Sequence, residues 1–226
     1  MKDSVKRALC SSSGGKDSLL ALWHAGRQDL KPTTLLTMFD ETGLRSRSHG
    51  VPRTLVEQQA RSMGLDLMAP SAGWNDYEAV FTRALMDLKR SGHEVAVFGD
   101  IDLEPHREWE ARVCRAAGLE HCLPLWQRNR LELARESISL GFEAVVVCVD
   151  SRCLADDFCG RTFDESFIAD LPAGVDPCGE NGEFHTFVFD GPLFAQRVKF
   201  RVQGRSEYIS PAQFGSQRYC FANLTV

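Results

Sequence analysis

The sequence predicts an α/β fold: a parallel-sheet domain at the N-terminus followed by a smaller C-terminal α/β domain. Three observations predict it. Short apolar segments alternate with amphipathic helical ones through the first half of the chain, the pattern of repeated strand–helix units in a sheet covered on both faces. A Ser/Gly cluster, Ser11-Ser12-Ser13-Gly14-Gly15, falls where the first strand would hand over to the first helix. After Pro124-Leu125-Trp126 the alternation restarts, and beyond Asp150 the chain is richer in Gly, Pro and acidic residues. These place a boundary between domains 1–127 and 128–226, each of ordinary domain size.

The elements follow in order. Residues 5–10 read as a strand, 17–25 as an amphipathic helix, 33–39 as a β-rich run, 53–63 as a helix and 65–68 as a short strand. In 76–90, Tyr77, Val80, Phe81, Ala84, Leu85 and Leu88 recur at three- and four-residue steps, the clearest helix of the chain, closed by Ser91-Gly92. A buried strand, 94–98, ends at Gly99-Asp100-Ile101-Asp102, and 104–117 returns as a helix stopped by Gly118. The second half begins with a helix over 129–140 capped by Gly141 and a strand over 144–149. A long Gly/Pro loop over 171–183 precedes short strands at 186–189, 198–202 and 218–221, and long loops in compact chains are often functional.

Composition limits the function. At 226 residues, 43% apolar and 25% charged, the chain is ordinary globular protein and should bury roughly 70% of its unfolded surface. Disorder, collagen and coiled coil are excluded. With 31 acidic against 26 basic residues, net −5, a general nucleic-acid binder is disfavoured. The longest apolar runs, such as 144–149, fall far below the roughly 18 residues of a membrane span, so no membrane partner is expected. The charged start, Met1 to Arg7, has no apolar region behind it, which points to the cytoplasm. Eight scattered cysteines without a CxxC pair read as reduced, mostly core thiols rather than staples or a structural metal site.

The sharpest signal is Ser13-Gly14-Gly15-Lys16-Asp17-Ser18 between strand and helix. Adjacent glycines let backbone N–H groups converge, the helix N-terminus adds partial positive charge, Lys16 adds a full one, and Ser13 and Ser18 add hydroxyl donors. This is a phosphate cradle by chemistry. It is not a Walker A loop, since Cys10 and Asp17 stand where that motif needs Gly and Ser or Thr. A plain Gly/Ser turn would not favour Lys-Asp-Ser behind it.

The same string resembles the PP-loop of the N-type ATP pyrophosphatases, which cleave ATP between the α- and β-phosphates. Together with Gly99-Asp100-Ile101 and the run Asp176-Pro177-Cys178-Gly179-Glu180-Asn181-Gly182-Glu183-Phe184-His185-Thr186, it resembles the diphthine ammonia ligase family over nearly the whole chain. The Glu-Asn-Gly-Glu-Phe-His form resembles the bacterial-type branch of that family, whose other members carry Gly at the position of Asn181 and Glu at that of His185. The resemblance implies a Rossmann-like sheet of the adenine nucleotide alpha hydrolase (HUP) type. It implies ATP and Mg²⁺ as cofactors. It also implies adenylation of a carboxylate, release of pyrophosphate, and amide formation with ammonia to leave AMP.

On that resemblance Ser11, Ser13, Gly14, Gly15, Lys16, Asp17 and Ser18 would cradle the phosphates, with Lys16 offsetting the charge of the leaving pyrophosphate. Asp17 would hold Mg²⁺, or else serve only as a first-turn acid favoured by the helix dipole. Adenine would lie by Met38 and Phe39, with His49 in the same pocket or simply on the surface. Gly99 and Asp100 end a strand where α/β sheets bind ligands, Asp102 being the better helix cap. Arg107 would reach an anionic substrate or only solvate its helix. Glu180, Asn181, Glu183 and His185 would face the substrate, with Glu183 and His185 taking part in the chemistry beside Lys16 and Asp17; a tight Asn-Gly turn is the plain alternative.

The partners expected are a small-molecule or protein carboxylate and ammonia, without nucleic acid, and a homodimer is permitted. Two other functions share the loop. One is a PP-loop enzyme that modifies tRNA or a metabolite, against which stand the acidic balance and the missing CxxC pair. The other is an ATP or AMP sensor without turnover.

Overall fold

A computed structural model describes residues 5–210 and 215–226. Its first sheet grows from β1 (Lys6–Ser11), whose middle residues Ala8, Leu9 and Cys10 are fully buried because helices cover both faces. β2 (Leu30–Leu36), β3 (Asp66–Met68), β4 (Val95–Val97) and β5 (Glu120–Cys122) join it in the order β3-β2-β1-β4-β5, all pairings parallel. The chain leaves β1 toward β2 and later returns to its other side at β4. That reversal opens a crevice beyond the carboxyl ends of β1 and β4, where such sheets bind ligands.

Helices α1 (Lys16–Ala25), α2 (Arg53–Ser62), α3 (Tyr77–Arg90) and α4 (Glu104–Ala117) connect these strands. The apolar steps of α3 bury Phe81, Ala84, Leu85 and Leu88, as their spacing requires. α4 stops at Gly118, whose left-handed φ of 72° ends the helix at little steric cost. α1 departs from the amphipathic reading: Lys16, Ser18, Leu19, Leu20, Ala21 and Leu22 are all buried, because the helix lies between the first sheet and the second.

The second sheet is antiparallel. α5 (Arg130–Ser139), capped by the Asn129 side chain, leads into the central strand β6 (Glu143–Asp150). β6 pairs with β7 (Thr162–Phe163), β8 (Phe184–Asp190) and β10 (Arg218–Thr225), and β9 (Arg201–Ile209) adds to β10. A 3-10 turn at Asp156–Phe158 and the short α6 (Glu165–Asp170) complete this half. One apolar cluster runs without a break from Ala8, Leu19 and Leu20 to Val147, Phe184 and Phe187, joining the two halves. The opposite face of the first sheet has its own core of Leu9, Leu36, Phe81, Leu85 and Val113.

Three elements differ from expectation. β2 ends at Leu36 rather than 39, because β1 turns away at Ser11 and leaves Met38 and Phe39 without a partner strand on that side. The edge strand β5 carries no alternation to announce it. The strand expected at 198–202 begins only at Arg201; Val198 is a buried residue whose amide bonds the Phe189 carbonyl, and β9 is exposed along its length. All eight cysteines are free thiols. No helix among the described residues is long and apolar enough to cross a membrane.

Candidate active site

The crevice at the β1/β4 switch is a cavity of about 660 Å³. Its floor is the glycine loop and the start of α1, one wall is α3 and α4, and its roof is the segment 178–186 that enters β8. Of the residues singled out in the sequence, Ser11, Ser13, Gly15, Lys16, Asp17, Ser18, His49, Gly99, Asp100, Glu180, Asn181 and His185 line it.

The glycine loop is shaped by close approach. Gly14 has φ +83°, and a Cβ on Gly15 would stand 2.7 Å from His49 Cε1. On Gly99 it would stand 2.7 Å from the Ser18 amide nitrogen, so the end of β4 can touch the first turn of α1 only without a side chain. Three loop amides point toward hydroxyl oxygens: Gly14 N–H donates to Ser12 Oγ (3.1 Å), Gly15 N–H to Ser13 Oγ (3.4 Å) and Lys16 N–H to Thr186 Oγ1 (3.1 Å). Of these, the Gly15 and Lys16 amides belong to the cavity lining, and N–H donors at a helix N-terminus suit an anionic oxygen. β8 is tied directly to this loop, with Val188 N–H bonded to the Gly14 carbonyl at 2.9 Å.

Lys16 is 2% exposed, and its ammonium donates to Asp17 Oδ2 at 2.8 Å and to the Cys178 carbonyl. Burial works against its charge, but Asp17 outweighs that and holds the Lys16 pKa above its ordinary value. Burial likewise pushes the Asp17 carboxyl up, against the pull of Lys16. One Asp17 oxygen is taken by Lys16, leaving a hard carboxylate oxygen toward the cavity, which fits a Mg²⁺ held mainly by phosphate and water. No group of three or more His, Cys, Asp or Glu among the described residues forms a metal cage of its own.

His49 and His185 stack with ring centroids 4.6 Å apart. His49 Nδ1–H donates to the Thr186 carbonyl at 2.8 Å, which leaves Nε2 as an acceptor. Burial lowers the His49 pKa well below its ordinary value and His185 to about 4, so both rings are neutral at pH 7.

Across the cavity Asp100 accepts from His106 Nδ1 at 2.7 Å. Burial opposes the Asp100 charge, but the bonds from His106 and Glu110 more than offset it and lower its pKa. Burial first, then the bond to Asp100, push the Glu110 carboxyl up to about 11, so Glu110 is protonated and donates to Asp100. Glu180 accepts from the Ile101 amide at 2.9 Å, and burial pushes its carboxyl up to about 7 despite that bond.

Five expected positions lie elsewhere, Gly14 among them: its amide donates to Ser12 Oγ and it stays outside the cavity lining. Met38 (7% exposed) and Phe39 (0%) are packed in the core beyond the end of β2, outside the cavity lining. Arg107 pairs with Glu104 and lies over the Trp126 ring, not in the cavity. Glu183 turns into its own loop, where its carboxylate accepts from the Asp176 amide (3.3 Å), the Asn181 amide (3.1 Å) and the Asn181 side chain (3.0 Å). It fixes the shape of the loop that presents Glu180. Cys178 is a buried thiol pushed up to about 12 by burial, so it is not a thiolate nucleophile.

The sequence reading missed Thr186, Tyr77, Trp109, His106 and Glu110, all of which line the cavity. It also missed Arg130, which bonds Asp102, Asp176 and Asn181 and so straps the 171–183 loop to the end of β4. His106 and Glu110 are one helical turn apart on α4, a spacing that could have marked them as facing one place.

Comparison with known proteins agrees with this architecture. Residues 6–121 match the family model described as the diphthamide synthase N-terminal domain, and residues 129–214 match the diphthamide synthase C-terminal domain. The diphthine–ammonia ligase of Homo sapiens is 38% identical over 212 residues, 82% of this chain and 79% of that one. That of Bos taurus is 36% identical over the same shares, and that of Danio rerio 34% identical over 211 residues, 87% and 82%. With both domain models matched in order and such relatives aligned over most of their length, the chain belongs to the diphthine–ammonia ligase family.

Proposed function

We propose that this protein is an ATP-dependent amide ligase: it adenylates a carboxylate, releases pyrophosphate, and joins the acyl group to ammonia with loss of AMP. One observation carries the reading. The glycine loop with its buried lysine and the carboxylate-bearing segment 178–186 face each other across a single cavity, so activation and acyl transfer share one site. Residues 1–127 hold the nucleotide and 128–226 supply most of the contacts to the acceptor.

The loop amides of Gly15 and Lys16, which line the cavity, exchange their hydroxyl partners for phosphate oxygens. The acceptor carboxylate attacks the α-phosphorus and the bond to the β-phosphate breaks. Lys16 then faces the charge gained by the leaving pyrophosphate, in a buried place where stabilisation is strong. Asp17 would hold Mg²⁺, whose chemistry there would be to neutralise phosphate charge. His49, neutral and fixed by the Thr186 carbonyl, keeps an acceptor nitrogen for the exocyclic amine of adenine. Ammonia attacks the acyl carbon, the acyl–phosphate bond breaks, AMP leaves, and Glu180 takes the proton shed by nitrogen.

The relatives are named for diphthine and ammonia. The acceptor here is diphthine or another carboxylate; His185, a neutral ring where diphthine-amidating members carry Glu, meets it at the roof. The test is direct. The protein is incubated with ATP, ammonium chloride and a panel of carboxylates that includes diphthine, and nucleotide products are separated. AMP and pyrophosphate in step with amide support the ligase; ADP and phosphate overturn it.

A further inference from the structure

Amide formation from ammonia sheds a proton, and Glu180, which receives it, is half-buried with one carboxyl oxygen on the Ile101 amide. A second turnover requires that Glu180 be emptied. Among the titratable side chains of the cavity lining, in the described residues, His106 alone is exposed. Its side chain is 58% accessible, whereas Lys16, His49, Glu110 and Cys178 are buried and the rest half-buried. One imidazole thus belongs both to the cavity wall and to the outer surface.

The ring is held for such a use. With Nδ1–H donating to Asp100 Oδ1 at 2.7 Å, Nε2 is left as an acceptor. Asp100, which also accepts from the protonated Glu110, stands behind the ring as a carboxylate that orients a histidine and stabilises its imidazolium. The bond to Asp100 outweighs burial and raises the His106 pKa above its ordinary value, and the charge of Glu180 adds to it. The raised affinity draws a proton from Glu180 toward the ring. Other charges around this part of α4 are engaged, Glu104 with Arg107 and Glu78 of α3 with Arg112.

We propose that His106 is the proton exit of this site: its Nε2 accepts from the Glu180 carboxyl the proton shed by ammonia and releases it to solvent, with Asp100 as the positioning carboxylate. This task rests on the ligase reading. As the carbon–nitrogen bond forms and the acyl–phosphate bond breaks, the proton leaves nitrogen for Glu180. The Glu180 O–H passes it to Nε2, and the imidazolium gives it to water. The neutral ring and the Glu180 carboxylate are both restored.

Nitrogen NMR of the histidine rings tests the first half on the free protein. His106 should titrate from an Nδ1–H tautomer, and Glu180→Gln should lower its midpoint, because a negative charge that raises it is gone. An Nε2–H tautomer or an unmoved midpoint overturns the exit.

Kinetics tests the second half, with a carboxylate that the wild-type protein amidates. His106→Gln keeps a donor for Asp100 but carries no proton; it should slow amide formation about a hundredfold while the half-saturating ATP concentration holds. His106→Ala should be as slow and should recover with added imidazole, in proportion to the neutral form of the imidazole. Wild-type turnover in His106→Gln, or no recovery of His106→Ala, overturns the proposal and leaves His106 as a tie between α4 and the end of β4. Amide formation with an unmoved midpoint removes only the exit. A moved midpoint with no carboxylate amidated removes the ligase reading, not the path from Glu180 to the ring.

Discussion

The Lys16 ammonium donates to the backbone carbonyl of Cys178, joining the glycine loop of the first sheet to the long loop that leads into the second. Phe163 and Phe184 close over the same nitrogen, 5.3 and 5.4 Å from their ring centroids. In the free protein Asp17 Oδ2, at 2.8 Å, and the Cys178 carbonyl both hold this ammonium in place. Its charge is preorganised rather than drawn from solvent, the condition under which developing phosphate charge is best stabilised. Lys16→Met should therefore lower the rate of pyrophosphate release by about 10² to 10³. Limited proteolysis should at the same time cut the 171–183 loop faster. A wild-type rate in the variant would take Lys16 out of the chemistry.

Gly99 is the point where the end of β4 meets the first turn of α1. The atoms that an added Cβ would strike are backbone, Ser18 N at 2.7 Å and the Asp17 carbonyl carbon at 2.8 Å, and neither can step aside as a side chain can. Gly99→Ala should cost about 1–3 kcal/mol in urea unfolding and weaken ATP binding with it. Gly26, just past α1 with φ −67° and its nearest neighbour 3.6 Å away, is the control. There Ala should be neutral or stabilising by up to about 1 kcal/mol. Equal effects at the two positions would refute the close-approach argument.

The contrast between these glycines and α4 shows what the chain reveals by itself. The phosphate cradle is contiguous, so Gly14, Gly15 and Lys16 announce it locally, and Glu180 and His185 stand in one uninterrupted run. Glu110, Trp109 and Tyr77 reach the cavity only because α3 and α4 cover the same face of the sheet, a long-range fact that no local pattern encodes. Met38 and Phe39 were misplaced for a related reason: where β2 stops depends on where β1 turns away. Glu183 sits in the right motif, but its carboxylate serves the amides of its own loop, which spacing cannot distinguish from a cavity-facing acid.

The protonated Glu110 makes stability depend on pH with a definite sign. Burial and Asp100 raise its pKa from the ordinary 4.5 to about 11, so the folded protein keeps a proton that the unfolded chain releases above pH 4.5. Stability should be fully present below that value and fall as pH rises through the window up to about 11, at no more than about 1.4 kcal/mol per pH unit. Glu110→Gln cannot titrate and should gain on the wild type between pH 5 and pH 8 in urea unfolding. A constant difference between the two proteins across that range would show that Glu110 is ionised in the fold.

The stacked histidines act in the opposite direction. Burial lowers both pKa values, His185 to about 4, so their neutral forms belong to the fold while the unfolded chain takes up protons below 6.5. Stability should thus be lost as pH falls from 6.5 toward 4. His185→Asn, which stays neutral, should flatten that acid limb by one proton. An unchanged limb would place the loss on other groups.

Arg130 gives the last prediction. Its guanidinium holds Asp102 at the end of β4 and Asp176 in the long loop, with Asn181 at 3.2 Å, while the Asp176 carboxylate in turn accepts the amides of Cys178 (3.0 Å) and Glu180 (2.7 Å). The position of Glu180 over the cavity is set through this chain of contacts, although Arg130 itself does not line the cavity. Arg130→Met keeps the length of the side chain and removes the fork. Turnover should fall about ten- to a hundredfold, roughly 1.4–2.7 kcal/mol of transition-state stabilisation, since a small misplacement of a reacting group costs on that scale. ATP affinity should hold, because the glycine loop has its own ties to Thr186 and Val188. Arg130→Lys, a point charge that cannot grip both aspartates, should restore only part of the loss. If ATP affinity fell together with turnover, Arg130 would be holding the whole fold rather than the roof of the site.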